Sequence, residues 1–333
     1  MLGPQKPFVD IEVDGKPSGL VIGPALKEFV YRDVHHGAVD EISLKLADPN
    51  GLWRSSWGID EGVDVAASMG YAGLLGAVVP CGLYQIGETE AEGDGSGSTA
   101  SFHGQSAFTS KELRTARSQA HEQRSLAEII KVVADRHDLQ VLGETADLRF
   151  QRVSQDKESD LAFLTRLAED WGHYFSIKGD QLVFTTRKSI EDTKPVRIFD
   201  LFARDPVTRW RARKSTNKLY HRATVKYLHP ASNRLLSAEA KDERVPSGDT
   251  LKLDDRAETQ AHAEHLCAAR LARANDGLGT GRITTVGDPL LLSGQIIELA
   301  PSYGRYAGRW LITAATHRFT SNGYTTSVDI KVI

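Results

Sequence analysis

Residues 154–184, SQDKESDLAFLTRLAEDWGHYFSIKGDQLVF, decide the fold. They read as a capped amphipathic helix, a glycine stop and a tight hairpin. Ser159, flanked by Glu158 and Asp160, puts a side-chain oxygen and negative charge where the first N–H groups of a helix lack partners and the helix dipole is positive. Leu161, Leu164, Leu167, Ala168 and Trp171 recur at helical spacing and give one apolar stripe, while Thr165, Arg166, Glu169 and Asp170 face away. Gly172 stands where a left-handed residue is needed to end a helix. Beyond it, Tyr174, Ser176 and Lys178 alternate with Phe175 and Ile177, Gly179-Asp180 supplies a two-residue turn, and Leu182 and Phe184 alternate on the return. Helix and hairpin are one small unit.

Just upstream, Ser125 precedes Glu128 by the spacing at which each side chain caps the other's backbone N–H. Leu126, Ile129, Ile130, Val133 and Ala134 form the buried stripe of the helix that follows. A short strand over 139–142 and an extended piece over 148–153 lead into the organising helix. Residues 120–187 therefore make a compact α/β insert.

On either side the pattern is β. Residues 8–13 lead into a turn at Asp14-Gly15, and in 41–47 Ile42, Leu44 and Leu46 alternate with Ser43 and Lys45, so one face is buried. Asp48-Pro49-Asn50-Gly51 is a turn signal. Strands are expected over 63–67 and 82–88, and again through Phe102, Gly104 and Ala107 before a polar connector. Residues 87–101, GETEAEGDGSGSTAS, carry no apolar period and read as a mobile loop. After residue 196 the β pattern resumes at Val196 and Ile198 and in HRATVKYLH, 221–229. A helix over 256–275 interrupts it, with Ala263, Leu266, Cys267, Leu271 and Ala274 on one stripe. Four closing strands follow over 282–286, 295–299, 310–319 and 324–332, the last two joined by Asn322-Gly323.

The chain has 333 residues, more than one hydrophobic core usually holds, so two or three domains are expected. Its net charge is -3 with 26% charged residues, unlike a nucleic-acid-binding domain with its clustered Lys and Arg. Cys81 and Cys267 are too few for a disulfide framework and read as buried thiols in a reducing compartment. The apolar stretch over 71–79 is glycine-broken and far short of the roughly 20 residues a spanning helix needs. MLGPQKPF lacks a hydrophobic signal core. A soluble protein assembled in the cytoplasm is expected.

The run ESDLAFLTRLAEDWGHYFSIKGDQLVF resembles the corresponding segment of the late control protein D family, the central hub of phage contractile-tail baseplates, related to the hub part of VgrG in type VI secretion. GDPLLLSGQIIELAP and GRWLITAATHRFTSNGYTTSVDIKV are similar to that family's closing pattern, so the resemblance covers most of residues 120–333. It implies an α+β, mainly β fold. Two tube-like antiparallel β-barrel domains, over 1–115 and 191–333, the second carrying the helix at about 256–275, flank the α/β insert at 116–190. It also implies a structural, non-enzymatic role. Three subunits would form a pseudo-hexameric ring that adapts a hexameric tail tube to a trimeric spike, with other baseplate components and the tape measure protein as further partners. The location would be the virion tail baseplate or an injection particle. No catalytic, cofactor or metal residue is assigned, no cofactor, no membrane insertion and no sequence-specific nucleic-acid binding.

Candidate chemistry is thin. His35-His36 near Asp33 and Asp40 would need an irregular backbone to meet one ion, since neighbours on a strand point to opposite faces, and read as surface or turn histidines. His262 and His265 share a helix face but lack a third ligand, and read as a solvated face. No G-x-S-x-G marks a nucleophile, and Gly95-Ser96-Gly97-Ser98 is linker composition. Gly277, Gly279 and Gly281 follow a helix and read as a cap with a hinge. Trp53, Trp57, Trp171, Trp210 and Trp310 read as core or interface anchors. Arg209, Arg211, Arg213, Lys214 and Lys218 read first as a solvated strand edge and second as a docking face for an acidic partner or passing DNA. Glu88, Glu90, Glu92 and Asp94 could face a channel or a neighbour, repelling a polyanion within a Debye length of about 10 Å. The rival functions are a tail-associated peptidoglycan hydrolase, which needs an opposed carboxylate pair in a cleft, and a cell-wall-binding module.

Overall fold

The computed structural model describes residues 6–72, 78–95, 97–106, 111–203, 207–229, 234–255 and 257–333. Ser96, Ala107, Arg256 and residues 73–77 of the apolar stretch therefore lie outside the described residues.

The first lobe is built from β1 (Lys6–Val13), β2 (Lys16–Pro17), the short α1 (Gly19–Ile22), β3 (Leu26–Val34), β4 (Glu41–Ala47), β5 (Asp64–Ala72), β6 (Val78–Asp94) and β7 (Gly97–Ser106). The insert contributes α2 (Lys111–Arg114), β8 (Ala116–Ser125), α3 (Leu126–Arg136), β9 (Gln140–Leu142), β10 (Arg149–Ser159), α4 (Asp160–Asp170), β11 (His173–Lys178), β12 (Gln181–Thr186) and α5 (Arg187–Glu191). The remainder holds β13 (Arg197–Phe199), β14 (Val207–Lys214), β15 (Tyr220–His229), β16 (Arg234–Lys241), β17 (Asp249–Leu253), α6 (Gln260–Ala274), β18 (Gly279–Val286), β19 (Ile296–Leu299), β20 (Gly308–Thr320) and β21 (Gly323–Val332). The fold is mainly β with large antiparallel sheets.

Local signals set the insert. Ser125 and Glu128 form the reciprocal cap, and all five expected stripe residues of α3 are buried. Ser159 caps α4, and Gly172 adopts φ +70° just beyond its end. Phe163, Leu164 and Leu167 are 1% exposed or less, each contributing about 1.5–3 kcal/mol by leaving water. Leu161 and Trp171 lie only at the margin of this core. On β11 the expected inside/outside alternation fails: five of its six residues are buried. Phe175 and Ile177 fill the insert core, while Tyr174 packs on Ile296 and Leu311 of the C-terminal strands. The hairpin is a wall shared by two units.

One sheet runs through both lobes in the order β14-β18-β21-β20-β3-β4-β7-β6-β5-β1-β2, with β13 and β19 branching from β20. Its buried side feeds two cores. Phe29, Leu44, Phe102, Tyr84 and Met69 fill the first, and Phe199, Ile283, Ile297, Trp310 and Val328 the second. The last hairpin serves both: Trp310 and Ile330 lie in the second core, Phe319 and Tyr324 in the first. Strands β15 to β17 make a separate three-stranded sheet, covered by α6 through Ala263, Leu266, Cys267 and Leu271.

Several expectations are corrected. Residues 87–94 and 97–101 belong to a long hairpin, in which β6 pairs with β7 as far as Asp94 and Gly97. The polar connector ahead of Ser125 contains β8, paired with β10. α6 begins at Gln260 behind a Thr259 cap, later than read from the apolar stripe. Gly279 and Gly281 lie inside β18, where a Cβ on Gly281 would meet the Arg211 carbonyl at 2.7 Å, so they permit close strand approach and form no hinge. The final turn is Ser321-Asn322, one residue earlier than expected, with Gly323 opening β21.

Candidate assembly interface

Two features of this fold stand out: an ionic joint among the N-terminal strands, the hairpin β11/β12 and the C-terminal segment, and a polar sheet face. The joint centres on Lys178 at the end of β11. Its Nζ donates to Asp33, to both oxygens of Asp40 (2.7 and 2.9 Å) and to the Val34 carbonyl (2.9 Å). Asp40 also accepts from Val34 N–H at 2.9 Å, and Asp33 from the N–H and hydroxyl of Ser293 at 2.6 and 2.7 Å. First lobe, insert and C-terminal strands thus meet at one cation. Burial pushes the Asp33 carboxyl up, but Lys178 and Ser293 outweigh it and hold it below the usual range. At Asp40 burial wins over Lys178 and raises the carboxyl to about 6.

His35 and His36 belong to the same joint, contrary to the surface reading. His35 is buried, packs on Tyr174 at 4.4 Å, and is held neutral by burial and the neighbouring His36, which lower it to about 3. Gly294, at φ +78°, makes room for it: a Cβ there would lie 2.8 Å from its ring. His36 accepts from Phe175 N–H at 3.1 Å. Among the described residues no group of three or more His, Cys, Asp or Glu could hold a metal.

A second joint ties insert to C-terminal strands. Asp276 takes two bonds from Arg187, at 2.9 and 2.8 Å, and one from Lys331 at 2.7 Å. Beside it, Asn275 bonds the backbone of Tyr220 in both directions, at 2.9 and 2.8 Å, and the Asp242 carboxylate at 2.9 Å. His262 is buried between Phe150 and Trp171, at 5.0 and 5.3 Å, which corrects the solvated reading; His265 is exposed. Asp160, expected as a helix-dipole acid, lies buried under Arg136, His137 and Gln155.

The polar face follows from strand register. Alternate residues of a strand share a face. Arg209 pairs with Thr284, then Ser327, Thr316, Arg32, Glu41, Gln105 and Gln85, one row across eight strands and both lobes. On the other side the row Phe29, Leu44, Phe102 is buried. Charge on the polar face is graded: Arg209, Arg211 and Arg213 occupy the β14 end, while Glu88, Glu90 and Glu92 occupy β6. Glu92 pairs with Lys45 across β7.

Trp310 is core, Trp53 is buried with Trp57 edge-on at 5.8 Å and half exposed, and Trp210 meets Tyr303 and Tyr306 at 5.1 and 6.4 Å. Cys81 and Cys267 are buried free thiols. Sequence pattern missed Lys178 and Ser293 as joint residues; the signal available was an acid pair, Asp33 and Asp40, in search of a cation.

The mainly β fold with large antiparallel sheets recurs in solved structures of phage tail and type VI secretion proteins. The 43 kDa tail protein of prophage MuSo2 from Shewanella oneidensis has this fold, with TM-score 0.73 over 98% of both chains at 16% identity. An Escherichia coli protein described as a type VI secretion component resembling T4 tail proteins shares it less closely, with TM-score 0.58, 13% identity, and 98% of this chain and 76% of that one covered. Sequence then specifies the family. The chain belongs to the phage tail baseplate hub (GPD) family, whose profile matches residues 85–323. The relative named "Probable baseplate hub protein" of Escherichia phage P2 is 28% identical over 148 residues, 44% of this chain and 36% of the relative's length.

Proposed function

We propose that this chain is a structural baseplate hub of a contractile phage tail or related injection system, three copies of which close a pseudo-hexameric ring between a hexameric tube and a trimeric spike. The observation that carries the reading is the row from Arg209 to Gln85, which crosses both lobes without a break. Two lobes per chain let three chains offer six comparable wall segments, so a threefold object can meet a sixfold one. The polar face then lines the lumen, where hydrated side chains of both signs give a passing polymer no apolar patch to adhere to. The ionic joints keep the two lobes and the insert as one rigid wall segment. Tube, spike, other baseplate components and the tape measure protein are the partners this role requires, and the virion tail is its place.

The hydrolase alternative requires an opposed carboxylate pair in a cleft. Asp33 and Asp40 have opposed shifts, yet Lys178, Val34 and Ser293 occupy their oxygens, which suits a joint and leaves no oxygen for a substrate. Sedimentation equilibrium tests the ring: a particle of three chains is expected, and a monomer up to the solubility limit would overturn it. A zymogram on peptidoglycan tests the role: no clearing is expected, and clearing would replace the structural reading.

A further inference from the structure

Among the open strand edges of this sheet, two carry opposite charge. β14 pairs with β18 on one side, and no strand lies along its other side among the described residues. Arg209, Arg211 and Arg213 on it are exposed and have no ion-pair partner among the described residues. β6 pairs with β5 only from Val78 to Gln85; beyond that, among the described residues, β7 is the one strand paired with its exposed Glu88–Glu92 segment, where Thr89 also donates to Glu61 at 2.6 Å. Glu88 and Glu90 have no ion-pair partner among the described residues.

We propose that the β14 edge of one copy docks on the Glu88–Glu92 edge of the next, continuing the sheet from subunit to subunit. An open edge presents unpaired backbone groups that a second strand can satisfy. Register parity makes the match specific. The three arginines and the three glutamates all lie on the polar face, each repeating every second residue, a spacing of roughly 6.6 Å. When the sheet continues with that face on the same side, arginines stand directly across from glutamates at cross-strand distance. The same charges disfavour the alternatives: two β14 edges would set arginine against arginine, and two β6 edges glutamate against glutamate. Between these two edges only a head-to-tail contact is left, and head-to-tail contacts close into a ring when the rotation from copy to copy divides a full turn. This rests on the ring reading above and adds the surfaces that make it.

The test uses the full chain in three forms: Arg209→Glu/Arg211→Glu/Arg213→Glu, Glu88→Lys/Glu90→Lys/Glu92→Lys, and the chain bearing all six changes. Circular dichroism and the thermal midpoint confirm that each is folded, as expected for exposed positions. Each single-edge reversal is expected to weaken association at least about tenfold, and the six-fold variant to restore it, since its edges are again complementary. Association of the wild type is expected to fall as salt rises. Single-edge variants that still form trimers, or a six-fold variant that stays apart, would overturn the edge pairing and leave the ring standing. A wild type that is monomeric throughout would overturn both.

Discussion

Lys178→Met isolates the ionic joint. Methionine keeps most of the unbranched side chain and removes the ammonium, stranding two carboxylates whose side chains are 4% and 8% exposed. Removing one partner of a buried ion pair costs about 3–5 kcal/mol, because the remaining charge has neither water nor a counter-ion. The pH dependence follows from the two carboxyls. Asp40, raised to about 6, contributes stability that is complete below its unfolded value of 3.8 and lost as pH climbs to about 6. Asp33, lowered, contributes stability that is complete above 3.8 and lost as pH falls through its folded value. Without Lys178 the Asp33 contribution disappears and both carboxyls prefer the neutral form. The penalty relative to wild type is therefore full at pH 8 and falls by about half at pH 5, where protonation of the stranded acids relieves it. Urea unfolding followed by tryptophan fluorescence measures the difference at each pH, and hydrogen exchange at the Ser293 and Val34 amides reports the joint itself. Adding Asp33→Asn and Asp40→Asn to Lys178→Met should recover much of the loss. A penalty under about 1 kcal/mol, below what a lone buried hydrogen bond contributes, or one independent of pH, would refute the reasoning.

Two further outcomes follow from burial and packing. His35, His173 and His317 are held neutral, lowered by burial to about 3, 4 and 4. A lowered histidine contributes stability that is complete above its unfolded value of 6.5 and lost as pH falls, so at pH 5 the three cost about 2 kcal/mol each, and the thermal midpoint should drop steadily below pH 6.5. Gly287→Ala puts a Cβ 2.0 Å from the Tyr324 ring, which stacks on Phe319 at 3.9 Å and bonds His317 at 2.8 Å; with no room to yield, a loss of about 3 kcal/mol in chemical unfolding is expected.

What was legible in the sequence was local. The Ser125/Glu128 cap, the α4 start at Ser159, the Gly172 stop and the Gly179-Asp180 turn each depend on residues a few positions apart, and each stands as read. The hairpin over 87–101 was not legible because its β6 strand is exposed from Gly87 onward and its β7 strand buries only Ala100 and Ser101 within that stretch, so no apolar alternation marks it. β8 hides for the same reason: it pairs only with β10, and of its side chains only His121 is buried, against Phe163. His262 was read as solvated because its helix places it beside His265 on a polar stripe, and nothing local to β11 marks Lys178 as a joint residue. Asp40 and Phe150, each more than a hundred residues away, hold Lys178 and His262, and no periodicity encodes those contacts.

The most direct measurement is a reconstruction of the assembled baseplate by electron cryomicroscopy. Threefold density is expected in which both β-rich parts of each chain line one annulus, with Arg32, Glu41 and Gln105 turned toward the axis. Density with that face turned outward, or with only one lobe of each chain at the lumen, would contradict it.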